Sequence, residues 1–104
     1  MRRIELKTIE MGVHGGQKWP PLDYAAAICD IIDRSVEGMM IHELRQCLRV
    51  TDATKAAAVS ADRVLLLEEE DWKYLCDRIA KHRFPVSDAA ILTFADAIEK
   101  AESA

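Results

Sequence analysis

The chain has 104 residues, half of them apolar, and a formal net charge of −4 at pH 7. This length suits one domain with one hydrophobic core, and we expect a single compact domain over residues 1–104. Neither half of the chain is basic, which disfavours the phosphate binding that nucleic-acid proteins rely on. No apolar window is long enough to cross a membrane and no secretion signal is visible, so we expect a cytoplasmic protein.

The three cysteines, Cys29, Cys47 and Cys76, are an odd number and are widely spaced. Each falls in an apolar helical register, which indicates reduced, buried thiols in a cytosolic protein. Pairs such as His42 with Cys47 lack the close spacing that lets one element supply two metal ligands. We therefore expect no metal site and no cofactor.

Residues 3–11 alternate apolar and polar side chains, which predicts an N-terminal strand. The Gly/Pro-rich segment 12–21, GVHGGQKWPP, predicts a loop that could hold a second short strand near residues 17–19. Trp19 lies in this loop beside Lys18, and tryptophan is enriched at binding hot spots. We therefore take Trp19 and Lys18 as candidate partner-binding residues, with Trp19 as an exposed anchor.

Residues 20–35 predict a first helix, and residues 40–57 predict a second. The apolar stripe of the second helix comprises Ile41, Leu44, Cys47, Leu48 and Thr51. Arg45 and Arg49 turn away from this stripe, and we take them as further candidate partner-binding residues. An alternative is that these two arginines belong to a basic surface that binds nucleic acid or an acidic partner. The other basic residues of that surface would be Arg78, Lys81 and Arg83.

The apolar segment 63–67, RVLLL, predicts a buried strand that pairs with the N-terminal strand. A third helix follows from Glu68 and is ended by Phe84-Pro85, since proline lacks an amide hydrogen. Ser87 is the expected N-cap of a fourth helix, and residues 100–104 are expected to fray. The predicted fold class is α+β, predominantly α, with about four helices and a small two-stranded β-sheet formed by the N-terminal strand and residues 63–67.

Four consecutive acids, Glu68 to Asp71, raise the question of a metal or acid–base site. Consecutive helical residues point about 100° apart, whereas a catalytic carboxylate pair must converge in one cleft. Acids in the first turn of a helix are stabilised by its unpaired amides and dipole. We therefore interpret the cluster as the start of the third helix. No nucleophile motif such as GxSxG occurs, so we expect no enzyme and no catalytic residue.

Two segments carry a resemblance to a known group of proteins. Residues 38–57 include ELRQCLRV, and residues 63–101 end in a helix with the pattern Pro-x-x-Asp-x-x-Ile-x-x-Phe-x-Asp-Ala-Ile-Glu-x-Ala, beginning at Pro85. This layout resembles small, uncharacterised proteins encoded among the virion-assembly genes of tailed bacteriophages and prophages. The resemblance implies a non-enzymatic part in phage head or tail assembly, in the host bacterial cytoplasm or associated with the virion.

The expected function is thus that of a protein–protein interaction module. Its expected partners are phage structural proteins, and we expect it to form a homo-oligomer. The alternative is a small nucleic-acid-binding regulator, which the charge balance disfavours.

Overall fold

The computed structural model describes residues 1–34 and 38–103. Within them lie four helices, α1 (Tyr24–Asp33), α2 (Ile41–Ala58), α3 (Glu69–Lys81) and α4 (Ala89–Glu99). The strands are β1 (Arg2–Glu5), β2 (Thr8–Ile9), β3 (Val13–His14), β4 (Gln17–Lys18), β5 (Leu22–Asp23), β6 (Val64–Leu67) and β7 (Glu102–Ser103). The predicted α+β class, mostly helical, is confirmed.

The main sheet has three strands in the order β6-β1-β7, and all its pairs are antiparallel. β1 pairs with β6 as predicted, with Ile4 opposite Leu65. Both of these side chains are buried, because alternate residues of each strand face the helices. Within the segment 100–104 that was expected to fray, Glu102 and Ser103 instead form β7 against Arg3 and Arg2, and residue 104 lies outside the described residues.

The segment expected to be a Gly/Pro loop contains a β-hairpin. β3 and β4 pair antiparallel across Gly15 and Gly16, whose φ angles are 62° and 80°. Two successive positive φ values define the hairpin turn whose twist matches its strands, and glycine adopts them without strain. β2 and β5 form a second short ladder, with Ile9 opposite Leu22.

Several helix boundaries differ from the sequence expectation, and α2 runs from Ile41 to Ala58 where residues 40–57 were predicted. α1 begins only at Tyr24, because Leu22 and Asp23 belong to β5, and its predicted end at residue 35 lies outside the described residues. The expected N-cap of α4, Ser87, is replaced by Asp88, whose side chain accepts a hydrogen bond from the Ala90 amide at 2.9 Å. α3 begins at Glu69, with the preceding glutamate as its N-cap.

The hydrophobic core lies where the helices cover the main sheet. Its fully buried side chains come from every helix and from both long strands, and they include Ile4, Ile28, Val50, Leu65, Leu75 and Phe94. Tyr24 of α1 meets Phe94 of α4 edge to face, with ring centroids 5.0 Å apart. This geometry is the favoured one for an aromatic pair and fixes α1 against α4.

The second helix buries a different face from the one its sequence stripe predicts. Cys47 and Thr51 of the predicted stripe are buried, but Ile41, Leu44 and Leu48 are 64%, 42% and 51% exposed. α2 packs against α1 and β6 through the face that carries Cys47, Val50, Thr51, Thr54 and Ala57. The buried threonines satisfy their hydroxyls within the helix, Thr54 by donating to the Val50 carbonyl at 2.7 Å. The other apolar stripe is thereby left at the surface.

Among the described helices, none is both long and apolar enough to cross a membrane.

Candidate functional site

A concave surface with a mostly apolar lining lies beside Trp19; this groove has a volume of about 500 Å³, and we call it the Trp19 groove. One wall is the segment from Trp19 to Asp23, and the opposite wall is the connection between α3 and α4. The α1 residues Ala26, Ala27, Asp30 and Ile31 form its floor. Its volume falls within the range of ligand-binding pockets, which are mostly apolar clefts with a few polar groups.

Trp19 forms the first wall of this groove and is half-buried, so the expectation of a freely exposed anchor is corrected. The Trp19 amide donates to the Gly12 carbonyl at 3.1 Å, which continues the hairpin ladder by one bond. The His14 ring meets the indole edge to face, with centroids 5.8 Å apart. Trp19 is therefore held in place before any partner arrives.

Asp88 fastens the hairpin to the N-terminus of α4. Its Oδ2 accepts hydrogen bonds from the Gly12 amide at 2.7 Å and from His14 Nε2 at 2.8 Å, while Oδ1 accepts the Ala90 amide. These bonds, first those from the Gly12 and Ala90 amides and then that from His14, lower the pKa of Asp88 from 3.8 to about 2. A side chain at Gly12 would bring its Cβ to 3.2 Å from Asp88 Oδ2, so this close approach favours glycine.

The opposite wall comes from residues that the sequence analysis did not select as functional. Phe84, Pro85 and Val86 line the groove, and His82 meets Phe84 edge to face at 4.7 Å. Phe84-Pro85 was interpreted only as the end of a helix. Three successive apolar residues in a connecting segment could have indicated a surface site, because they belong to no helical or strand stripe. The sequence does not show, however, that they lie in the same groove as Trp19.

Lys18, the neighbour of Trp19, does not line the groove. Its side chain is exposed and its Nζ lies 3.4 Å from a carboxylate oxygen of Glu10, which is also exposed. Exposed pairs of this kind contribute little to stability. Of the two candidate residues in the loop, Trp19 alone is part of the groove.

Arg45 and Arg49 lie on α2, which contributes no residue to the Trp19 groove. Arg49 donates to both carboxylate oxygens of Asp71, at 3.1 and 3.3 Å, and this raises its pKa. Gln46 also donates to Asp71, at 3.2 Å, so the buried carboxylate is satisfied by two side chains of α2. Arg49 therefore joins α2 to α3, whereas the guanidinium of Arg45 has no hydrogen bond or ion pair among the described residues.

Several residues of the alternative basic surface already have partners within the chain. Arg49 is held by Asp71, Lys81 pairs with Asp77 one helical turn earlier, and Arg78 donates to the backbone carbonyl of Arg34. These partners neutralise or occupy three of the five cations, which reduces the charge available to phosphate groups.

Two of the four acids at the start of α3 bind arginines of other elements. Glu69 accepts two hydrogen bonds from Arg2, each 2.9 Å long, and these lower its pKa. The same guanidinium lies 4.0 Å from the centre of the Trp72 ring and donates to the Ala101 carbonyl. Asp71 is used by Arg49, as described above, and Glu70 is exposed. The acids therefore hold the N-terminal strand and α2 against α3.

Trp72 of α3 is half-buried at the edge of the core. Its indole Nε1 donates to the Ile98 carbonyl at 2.8 Å, near the C-terminal end of α4. A tryptophan with one apolar face inside and a satisfied N–H is a common arrangement at such edges.

The three cysteines are free thiols. Cys47 is buried, Cys29 and Cys76 are half-buried, and burial raises the pKa of all three. A raised pKa keeps a thiol protonated at neutral pH and weakens it as a nucleophile. Within residues 1–34 and 38–103, no three side chains of the metal-binding types cluster closely enough to hold an ion.

Comparison of the chain with protein-family models, with curated proteins and with solved structures found no match.

Proposed function

We propose that the protein is a non-enzymatic protein–protein interaction module that holds an apolar segment of its partner in the Trp19 groove. The observation that carries this proposal is a groove of about 500 Å³ with tryptophan and proline on one wall and phenylalanine and proline on the other. Rigid aromatic side chains in a preformed cleft supply binding energy at a low cost in conformational entropy.

The polar groups that line the groove support binding rather than catalysis. Asp23 lies 3.4 Å from Arg63 Nη2, and Asp30 lies 3.1 Å from Arg34 Nε, so both carboxylates already have cationic partners. No cysteine lines the groove, and the cysteine thiols have raised pKa values. An acid–base or nucleophilic site needs a reactive group aimed at the substrate. In this groove both carboxylates are paired with arginines, and the imidazole of His82 packs edge to face against Phe84.

We further propose that the partner is a structural protein of a tailed phage and that the complex forms in the cytoplasm of a bacterial host. The support for this part is the resemblance of residues 38–57 and 63–101 to small proteins of virion-assembly gene clusters. The net charge of −4 and the internal pairing of Arg49 and Lys81 speak against the nucleic-acid alternative.

The test is to titrate the purified protein with the purified products of the genes on either side of its own, using isothermal titration calorimetry. We expect one of them to bind, and we expect Trp19→Ala to weaken that binding by about thirtyfold or more, as is usual for a tryptophan hot spot. Lys18→Ala is the matched control, because Lys18 is adjacent but outside the groove, and we expect a change within about threefold.

Circular dichroism of Trp19→Ala would establish that the variant is folded. Binding that is equally strong in Trp19→Ala would contradict the groove as the binding site. Binding to duplex DNA that falls steeply between about 50 and 200 mM salt would instead favour the regulator.

A further inference from the structure

The outer face of α2 is an apolar surface that the fold leaves uncovered. Met40, Ile41, Leu44 and Leu48 are 72%, 64%, 42% and 51% exposed. Residues 41, 44 and 48 are three and four positions apart, so they form one stripe along the helix. Exposed apolar side chains are unremarkable when scattered, but a continuous stripe of them marks an interaction surface.

This stripe is distinct from the face that α2 buries. The core face centres on Val50 and Thr54, both fully buried, whereas Leu48 lies about a third to half a turn around the helix from them. A surface helix ordinarily carries polar side chains at such positions. α2 therefore has one apolar face toward its own core and a second that is free to meet another protein.

We propose that this outer face pairs with the same face of a second copy of the chain, with the two α2 helices antiparallel and crossing at Leu48. The argument for this occupant is charge complementarity. Arg45 lies three residues before Leu48 and Asp52 four residues after it, and both are exposed. The side chain of neither makes a hydrogen bond or an ion pair within the described part of the chain.

An antiparallel crossing at Leu48 brings Arg45 of each copy beside Asp52 of the other, and two-fold symmetry makes the contact twice. A parallel pairing would instead separate Arg45 of one copy from Asp52 of the other by seven residues along the helices, about 10 Å, so the opposite charges would not meet. The charges of Arg45 and Asp52 are therefore complementary between two α2 helices that pack antiparallel.

The remaining cation beside the crossing point is already neutralised. Arg49 follows Leu48 directly, and the two copies of Arg49 would approach each other in the antiparallel pair. Its guanidinium is bound to the buried Asp71 of its own chain, 3.1 Å away, so the like-charge contact is weakened. The Arg49–Asp71 pair therefore joins α2 to α3 and also permits the dimer.

The size of the surface sets the expected strength of the dimer. α2 has 18 residues, and a helix of this length extends about 27 Å. A single pair of helices of this length buries an area at the low end for specific interfaces, about 1,200 Å² or less. We therefore expect reversible association that depends on concentration. None of the residues lining the Trp19 groove belongs to α2, so the proposed contact between the α2 helices does not use the lining of the groove.

The experiment is sedimentation velocity over a concentration series with the full chain. The wild-type protein is expected to shift from monomer to dimer, and Leu48→Glu is expected to raise the dimer Kd by about a hundredfold or more, since it places an unpaired carboxylate at the crossing point. Leu92→Glu is the matched control: this leucine of α4 is 67% exposed, and we expect wild-type association. Circular dichroism would verify that both variants are folded.

A charge exchange tests the antiparallel arrangement itself. Arg45→Asp and Asp52→Arg are each expected to weaken the dimer by about tenfold, because each replaces two attractive contacts by repulsive ones. The double variant restores the pairing with signs reversed and is expected to recover the wild-type Kd. A strictly monomeric wild-type protein, a dimer unaffected by Leu48→Glu, or a double variant without recovery would each overturn the proposal. None of these results bears on the Trp19 groove, which is tested separately.

Discussion

The orientation of α2 can be tested by comparing two leucines in neighbouring helices. Leu75 of α3 and Leu48 of α2 both belong to apolar stripes in the sequence. The structure buries Leu75 completely and leaves Leu48 51% exposed. Replacing either by alanine removes the same three carbon atoms, so any difference in stability comes from their surroundings.

The expected magnitudes follow from burial. At about 0.8 kcal/mol per buried methylene, Leu75→Ala loses about 2.4 kcal/mol of transfer free energy. The cavity left in a packed core raises the total to about 3–4 kcal/mol. Leu48→Ala loses about half of the transfer term and leaves no enclosed cavity, so we expect about 1 kcal/mol. For a chain of this size, the first change lowers the Tm by about 12–30 °C.

The assay is urea unfolding followed by the fluorescence of Trp19 and Trp72, with circular dichroism as a second probe. The protein concentration should be as low as the signal allows, so that the proposed dimer does not stabilise the wild-type chain. Equal losses for the two variants, or a larger loss for Leu48→Ala, would refute the placement of the Val50 and Thr54 face in the core.

Two further predictions concern polar contacts. Asp88 has a folded pKa of about 2 against an ordinary 3.8, so its stabilising effect is complete above pH 3.8 and is lost as the pH falls toward 2. We expect the Tm of Asp88→Asn to fall less steeply than that of the wild type as the pH is lowered through this window. An unchanged slope would rule out a contribution of Asp88 to the pH dependence of stability. Glu69→Lys should lower the Tm more than Glu70→Lys, because only Glu69 binds Arg2, and equal Tm values in thermal melts would disprove this.

Local patterns in the sequence predicted the elements of the fold well. The alternation at the N-terminus and the apolar run at residues 63–67 predicted two strands, and their pairing is confirmed by Ile4 opposite Leu65. The four helices follow from spacings of three and four between apolar residues, because side chains at these spacings share one helical face. Such signals need only neighbours in the chain, so they are present before any tertiary contact.

The same local reasoning could not choose between the two apolar stripes of α2. Ile41, Leu44 and Leu48 fit a helical period as well as Cys47, Val50 and Thr54 do. Only packing against α1 and β6 decides which stripe is buried. The sequence pattern consequently predicted a buried position for an apolar face that is exposed in the structure.

The candidate site depends on contacts that are distant in sequence. Asp88 reaches back 74 residues to His14 and 76 to Gly12, and these bonds bring the hairpin to α4. The sequence identified Trp19 as a residue of interest but gave no partner for it. Phe84 and Pro85 complete the groove only after α3 and α4 have packed.

By itself, then, the sequence determined the types and approximate limits of the helices and the presence of the strands β1 and β6, since these depend on the period of side chains along one segment. It also selected Trp19 as a candidate residue. Tertiary structure alone decided which face of α2 is buried, that residues 102–103 form a strand, and that Trp19 lies opposite Phe84. The physical reason is that burial and long-range hydrogen bonds are properties of two surfaces in contact, and a pattern within one segment describes only one of them.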